Sequence, residues 1–317
     1  MLVRLLALLS AFAPVLLTAQ TPECVMVMEA YSGKILIATN SSVKRPVASL
    51  TKMATAIVAV DWATATASDL SQFVITAPQT VALVGGPNPM SLQPGDSLTL
   101  RDALYSALLG SDNHAALTIA DNIGRQLLAK RGKNGDPVAA FVAEMNKLTK
   151  LIGMTQTRFV NPHGLERPGA QGYSTAADMA RLSVFAMRRN AINFIVRQKD
   201  RQISVTGATG MRGYRIRNLH ELIGEEGILG IKTGTTAAAG PCLATCMDRQ
   251  PLVRTRPDGS KGATPRRLIV VVLNSPDRFG RSRKLLQQGW AIYDDWLAAG
   301  APVKDPQREI LDLPKAN

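Results

Sequence analysis

Ser49 and Lys52 are the first pair in this sequence whose types and spacing could do chemistry. They stand in Pro46-Val47-Ala48-Ser49-Leu50-Thr51-Lys52-Met53-Ala54. Pro46 bars a helix from running in from its left, and the residues after it fit a helix that opens at Ser49. On its first turn, residues three apart share a face, with Cβ atoms about 5–6 Å apart. A serine hydroxyl needs a base within hydrogen-bond reach before it becomes a nucleophile. A lysine serves as that base once burial and a second cation push its pKa toward neutrality. The helix N-terminus adds free N–H groups and partial positive charge where an oxyanion would form. The tetrapeptide alone is a weak signal, since an ordinary helix-start serine reads the same. A second copy, Ser41-Ser42-Val43-Lys44, runs into Arg45-Pro46 and cannot be helical, so it serves as an internal control.

Two more groups with chemical potential follow: Ser111-Asp112-Asn113 between two expected helices, and Lys232-Thr233-Gly234 closing an expected strand. Bringing them to Ser49 requires elements from distant parts of the chain. Residues 25–29 and 34–38 read as short strands joined at Tyr31-Ser32-Gly33, a hairpin. From Ser49 to about Arg189 the pattern is mostly helical. Thr99 and Asp102 cap a helix over 100–109, Asp136-Pro137 opens one over 138–151, and Ser174 or Thr175 caps one through 179–187. Asn161-Pro162-His163-Gly164 is a turn between helices. Strands return after Gln202, at 228–233, 243–247 and 268–274, and an amphipathic helix follows over 282–299. Strands at both ends with helices between predict an α/β (α+β) fold: a sheet built from distant segments, with an inserted helical lobe. Residues 249–267 read as a solvated basic hairpin, and 301–317 as a polar C-terminal tail.

Of the 317 residues, 46% are apolar and 5% aromatic, and 37 Lys and Arg against 24 Asp and Glu leave a formal charge of +13. That surplus favours an anionic partner: nucleic acid, acidic lipid or an acidic cell-wall polymer. Arg4, an apolar run over 5–17 and small residues at Thr18 and Ala19 read as a secretory signal peptide over 1–19. The run is too short for a comfortable membrane span and is broken by Ser10 and Pro14, so no integral anchor is expected. Export to the periplasm or cell wall excludes nucleic acid and leaves anionic envelope polymers as the partner of the basic surface. Residues 20–300 then form the working domain. Cys242 and Cys246 would share one strand face about 13 Å apart, too far for a mutual disulfide. With Cys24 they read as buried free thiols. No His or Asp cluster accompanies them, and neither metal nor cofactor is expected.

Four stretches resemble the low-molecular-mass penicillin-binding proteins: Arg45–Lys52, Ser111-Asp112-Asn113-His114-Ala115-Ala116, Phe159-Val160-Asn161-Pro162-His163-Gly164-Leu165 and Gly230-Ile231-Lys232-Thr233-Gly234-Thr235-Thr236. Within that group the sequence is similar to the serine D-alanyl-D-alanine carboxypeptidases, over roughly residues 24–299. The resemblance implies a β-lactamase/transpeptidase-like fold, with a five-stranded antiparallel sheet flanked by helices. It implies that a peptidoglycan stem peptide or a β-lactam acylates Ser49, with Lys52 as the base and Ser111 relaying a proton to the leaving D-alanine. Asn113 would hold the substrate amide, and Lys232 would keep Lys52 neutral by repulsion. Thr233 would bind the terminal carboxylate, and the N–H groups of Ser49 and Thr235 would form the oxyanion hole. Arg278 matches a carboxylate-binding arginine, although a solvated loop arginine would read alike.

Departures leave other readings open. Asp112 and His114 stand where many carboxypeptidases carry Gly or Ala and then Asp, and His220 stands for a second asparagine. His163 reads as a turn-stabilising histidine. A related endopeptidase subgroup, which cleaves crosslinks, shares Ser-Asp-Asn and lacks the β-rich second domain and amphipathic anchor, as this chain does. A β-lactamase would need a deacylating carboxylate; Glu166 is the candidate, but Ala170 stands where a loop asparagine would follow. A catalytically silent envelope-binding protein is the remaining reading, opposed by the intact Ser49, Lys52, Ser111, Asn113 and Lys232.

Overall fold

The computed structural model describes residues 22–167, 169–255 and 258–313, so the signal-peptide reading of 1–19 lies outside them. The sheet expected from both ends of the chain is present. Strands β1 (Cys24–Glu29) and β2 (Ile35–Thr39) form the predicted hairpin, and β7 (Ile228–Thr236), β8 (Gly240–Thr255) and β9 (Lys261–Leu273) complete an antiparallel sheet in the order β2-β1-β9-β8-β7. The apolar run Leu268–Leu273 does not alternate because both sheet faces are covered. Ile269, Val271 and Leu273 join Met26, Cys242 and Cys246 in the larger core, whereas Leu268, Val270 and Val272 join Val25 and Val27 in the smaller one. Helix α7 (Arg278–Ala298) closes the smaller core with Ser282, Leu285, Leu286, Gly289, Trp290 and Tyr293, an i, i+3, i+4, i+7 stripe. Each of its large apolar side chains contributes about 1.5–3 kcal/mol by burial.

The other face carries α5 (Ala176–Met187), which packs on β1, β8 and β9. Helix α1 (Lys52–Ala65) is buried on nearly every side from Lys52 to Val60 and packs among the other helices, as a helix apolar all round must. The lobe contains α2 (Leu100–Leu109), α3 (Asn113–Lys130) and α4 (Pro137–Leu151), with α5 (Ala176–Met187) and α6 (Asn190–Val196) beside it. The predicted caps are in place: Thr99 Oγ1 accepts from Asp102 N–H at 3.1 Å, Asp136 from Val138 N–H at 2.8 Å, and Thr175, not Ser174, from Asp178 N–H at 3.1 Å.

A second sheet was not anticipated. Strands β3 (Val74–Thr76), β4 (Ser97–Thr99), β5 (Asp200–Gly207) and β6 (Gly210–Arg217) pair in that order beside the lobe. Two of them are three residues long, too short to show alternation, and β6 carries Arg215 and Arg217 on its exposed face. The basic 249–267 stretch is a paired hairpin, β8 and β9 continuing to Thr255↔Lys261 with mostly exposed side chains. The polar tail folds back on the first hairpin. After the short α8 (Pro306–Glu309), Leu311 is buried and its N–H donates to Gly33 O at 2.8 Å, and Lys34 pairs with Glu309. All three cysteines are buried and free.

Candidate active site

Ser49 lies on a 3-10 turn, Ala48–Thr51, that leads into α1; the α-helix expected at Ser49 begins at Lys52. The difference originates at Ala48, whose φ of +48° no regular helix accommodates. The left-handed region costs a non-glycine residue about 1–3 kcal/mol, so surrounding structure must hold it. Gly164 does so from above: a Cβ there would lie 1.9 Å from Ala48 O and 2.8 Å from Thr51 Oγ1. The Asn161–Leu165 turn thus clamps the Ser49 turn by direct backbone approach. Asn161 braces it, accepting from Gly164 N–H at 2.7 Å and donating to Leu165 O at 2.7 Å, and Thr55 Oγ1 donates to Pro162 O at 2.6 Å. In a 3-10 turn residues i and i+3 eclipse, which brings Lys52 over Ser49.

Lys52 is fully buried, and its Nζ lies 2.8 Å from Ser49 Oγ, 2.6 Å from Asn113 Oδ1 and 2.9 Å from His163 O. The Asn113 amide has one orientation, because its Nδ2 donates to the Gly85 carbonyl at 2.8 Å. Two of the three neighbours of Nζ are therefore carbonyl oxygens, which only accept. A neutral amine has two N–H bonds and one lone pair. The carbonyls take the N–H bonds and leave the lone pair for the Ser49 hydroxyl. Burial drives the Lys52 pKa down to about 7, against the Asp112 carboxylate, which pulls it up. Asp112 caps α3, accepting from His114 N–H at 2.8 Å, Ala115 N–H at 3.0 Å and Ser106 Oγ at 2.8 Å.

Lys232 is buried on β7 and donates to Thr233 O at 2.9 Å. Burial first, then Lys52 and Arg278, hold its pKa well below the ordinary lysine value. Burial is thus the largest cause of the lowered pKa at both lysines, and repulsion between the two cations adds to it.

Gly234 brings β7 to the turn: a Cβ on it would lie 2.9 Å from Ser49 N. Thr233 is buried beside it. Arg278 is the first residue of α7 and not a loop arginine; its Nη1 donates to Gly234 O at 3.0 Å and Thr235 Oγ1 at 2.8 Å. Ser111 is buried between α2 and α3 at a left-handed φ of +58°. His163 Nδ1 accepts from Leu165 N–H at 3.2 Å, which stabilises the turn as expected. The contact its carbonyl makes with Lys52 was missed, since a backbone oxygen carries no residue-type signal. His220 is buried against Thr245 Oγ1 at 3.1 Å, and burial lowers its pKa to about 3. Glu166 accepts from Thr236 Oγ1 at the end of β7.

A sequence model of the family described as D-alanyl-D-alanine carboxypeptidase matches residues 17–253. The chain belongs to that family. The five-stranded antiparallel sheet with its helical lobe is the fold that the four motif stretches implied. D-alanyl-D-alanine carboxypeptidase DacC of Escherichia coli (strain K12) is 30% identical over 306 residues, 91% of this chain and 68% of that protein. A D-alanyl-D-alanine endopeptidase of Pseudomonas aeruginosa is 30% identical over 231 residues, 72% of this chain and 68% of the relative. The crystal structure of Streptomyces K15 DD-transpeptidase superposes with a TM-score of 0.69 at 25% identity, covering 84% of this chain and 96% of that one.

Proposed function

We propose that this chain is an exported serine DD-peptidase that removes the terminal D-alanine from peptidoglycan stem peptides. The observation that carries the reading is the Lys52 amine, buried, fixed by two carbonyl acceptors and 2.8 Å from Ser49 Oγ. In the proposed reaction, Ser49 Oγ attacks the carbonyl of the D-Ala-D-Ala bond while its proton passes to Lys52. The Ser49 and Thr235 N–H groups hold the oxyanion. Collapse breaks the C–N bond, and Ser111 passes a proton to the departing amine. Water then cleaves the Ser49 ester and releases the shortened peptide. Lys232, Thr233 and Arg278 hold the substrate's terminal carboxylate, and Asn113 both fixes Lys52 and faces the substrate amide. A β-lactam enters the same sequence and stops at the acyl-enzyme.

Ser49→Ala should abolish the covalent penicillin adduct in intact-protein mass spectra, whereas Ser41→Ala should retain it; an adduct on Ser49→Ala overturns the assignment. Cleavage of crosslinks is the second reading, favoured by the endopeptidase relative. Mass spectra of peptidoglycan fragments separate the two, because loss of one D-alanine and opening of a crosslink differ in mass. Deacylation of penicillin should be slow, since Glu166 is bonded to Thr236 and Ala170 offers no partner for a water. Among the described residues no helix is long and apolar enough to cross a membrane. Attachment would then rest on the basic surface meeting anionic envelope polymers, and high salt without detergent should release the protein.

A further inference from the structure

Asn146 stands inside α4, where asparagine is a weak helix former because its amide competes for backbone hydrogen bonds. Its Oδ1 accepts from Phe159 N–H at 2.9 Å and its Nδ2 donates to Phe159 O at 2.8 Å, so the side chain pairs with Phe159 as a neighbouring strand would. Nδ2 also donates to Val142 O at 3.0 Å within its own helix. The amide has one orientation, since a flip would set its oxygen against two carbonyls. Phe159 is buried, and the chain runs on from it to His163, whose carbonyl accepts from Lys52 Nζ at 2.9 Å, and to Gly164, which presses on Ala48 O. Thr55 ties this segment to α1 through Pro162 O; Asn146 ties it to the helical lobe. Neutral Lys52 turns its lone pair to Ser49 only while both carbonyl acceptors stay in place. Asn113 Oδ1 is carried on the first residue of α3, but His163 O belongs to a turn that no regular element fixes.

We propose that Asn146 is a positioning residue for acylation: by pairing with Phe159 it sets the His163 carbonyl against Lys52 and so directs the Lys52 lone pair to Ser49. The proposal rests on the roles given above to Ser49 and Lys52. The Asn146 amide touches none of the reacting atoms, so its loss should slow the chemical step and leave the binding of penicillin alone. Asn146 and Phe159 both line an open cavity of about 980 Å³, so water can reach the Phe159 N–H and carbonyl once the amide is gone. The fold should therefore survive the substitution, while the turn loses its fixed position.

The test follows penicillin acylation of N146A and N146L by stopped flow, with the labelled fraction counted by intact-protein mass spectrometry. Alanine and leucine both suit a helix better than asparagine, and leucine keeps the volume, so neither weakens α4 itself. In both variants the acylation rate at saturating penicillin should fall about 10- to 100-fold, as a displacement on the 1 Å scale can cause, with the half-saturating concentration unchanged. A wild-type rate in either variant overturns the proposal. So does a rise in the half-saturating concentration alone. Failure of both variants to fold, or a smaller labelled fraction that still reacts at the wild-type rate, would make Asn146 a support of the fold and overturn it as well. A wild type that takes no label would instead overturn the Ser49 and Lys52 reading on which the proposal rests.

Discussion

Gly234 and Ser49 approach so closely that a Cβ on the glycine would lie 2.9 Å from the serine nitrogen. The strand proposed to receive the substrate and the turn proposed to attack it are therefore separated by one missing side chain.

Gly234→Ala should disturb that spacing. Ala48 Cβ and Leu50 N, at 3.1 and 3.2 Å from the same point, leave the new methyl no easy escape. Overpacking of this kind costs about 1–3 kcal/mol. Displacement of the turn on that scale slows penicillin acylation about tenfold or more. Stopped-flow acylation rates measure it, and an unchanged rate would mean that the turn yields freely.

The pH dependence follows from Lys52. It accepts the Ser49 proton only when neutral, so with a pKa of about 7 the acylation rate should rise through about pH 7 and then level. For stability the sign is the same. The unfolded chain, with an ordinary lysine pKa of about 10.4, binds more protons between the two values, so this group's contribution increases from about pH 7 to about 10. Asp112→Asn keeps an acceptor for His114 and Ala115 N–H but removes the charge that raises Lys52. The kinetic midpoint should move below 7, and a midpoint that stays or rises contradicts the role given to Asp112.

Arg278→Ala tests selection for a chain end. Losing a charge-assisted partner costs about 1.5–3 kcal/mol, roughly 10- to 150-fold. kcat/KM for a free-carboxylate D-Ala-D-Ala peptide should fall much more than for its C-terminal amide. Equal losses would make Arg278 a support for Gly234 and Thr235 alone, and a wild type indifferent to the carboxylate favours the endopeptidase reading.

Asp178→Ala should weaken the fold through the loop that clamps the nucleophile. The buried Asp178 carboxylate accepts from Gln156 N–H at 3.0 Å, Thr157 Oγ1 at 2.7 Å and Arg181 Nη1 at 3.0 Å. Removing one member of a buried ionic group costs about 3–5 kcal/mol. At about 2–4 °C per kcal/mol, the melting temperature should fall by roughly 6 °C or more. Scanning calorimetry decides, and a shift under about 2 °C would show that the loop holds without it.

The three motifs, the first hairpin and the helix caps were legible because each rests on residue type at fixed spacing: Ser49 with Lys52, Thr99 with Asp102, Asp136 with Pro137. What escaped depends on backbone conformation or on contacts between distant segments. Nothing in Ala48 announces a positive φ, which is imposed by Gly164 more than a hundred residues away. The Gly85 and His163 carbonyls that orient Asn113 and Lys52 belong to the backbone and have no signature. Val74–Thr76 and Ser97–Thr99 are strands because they find each other and, at Ser97, the distant β5.

The two edges of the five-stranded sheet also differ in their exposure to stray polypeptide. At β2, the chain's own Ile310 bridges to Lys34 and occupies the start of the strand. The β7 edge cannot be covered if it is where substrate docks, and a bare edge invites other strands, including those of a second copy. Under the roles assigned above, Lys232 and Arg278 answer that hazard chemically. The middle of a polypeptide brings no carboxylate to meet them and must leave them desolvated against neutral backbone. The features that choose a chain terminus as substrate would then also guard this edge against aggregation.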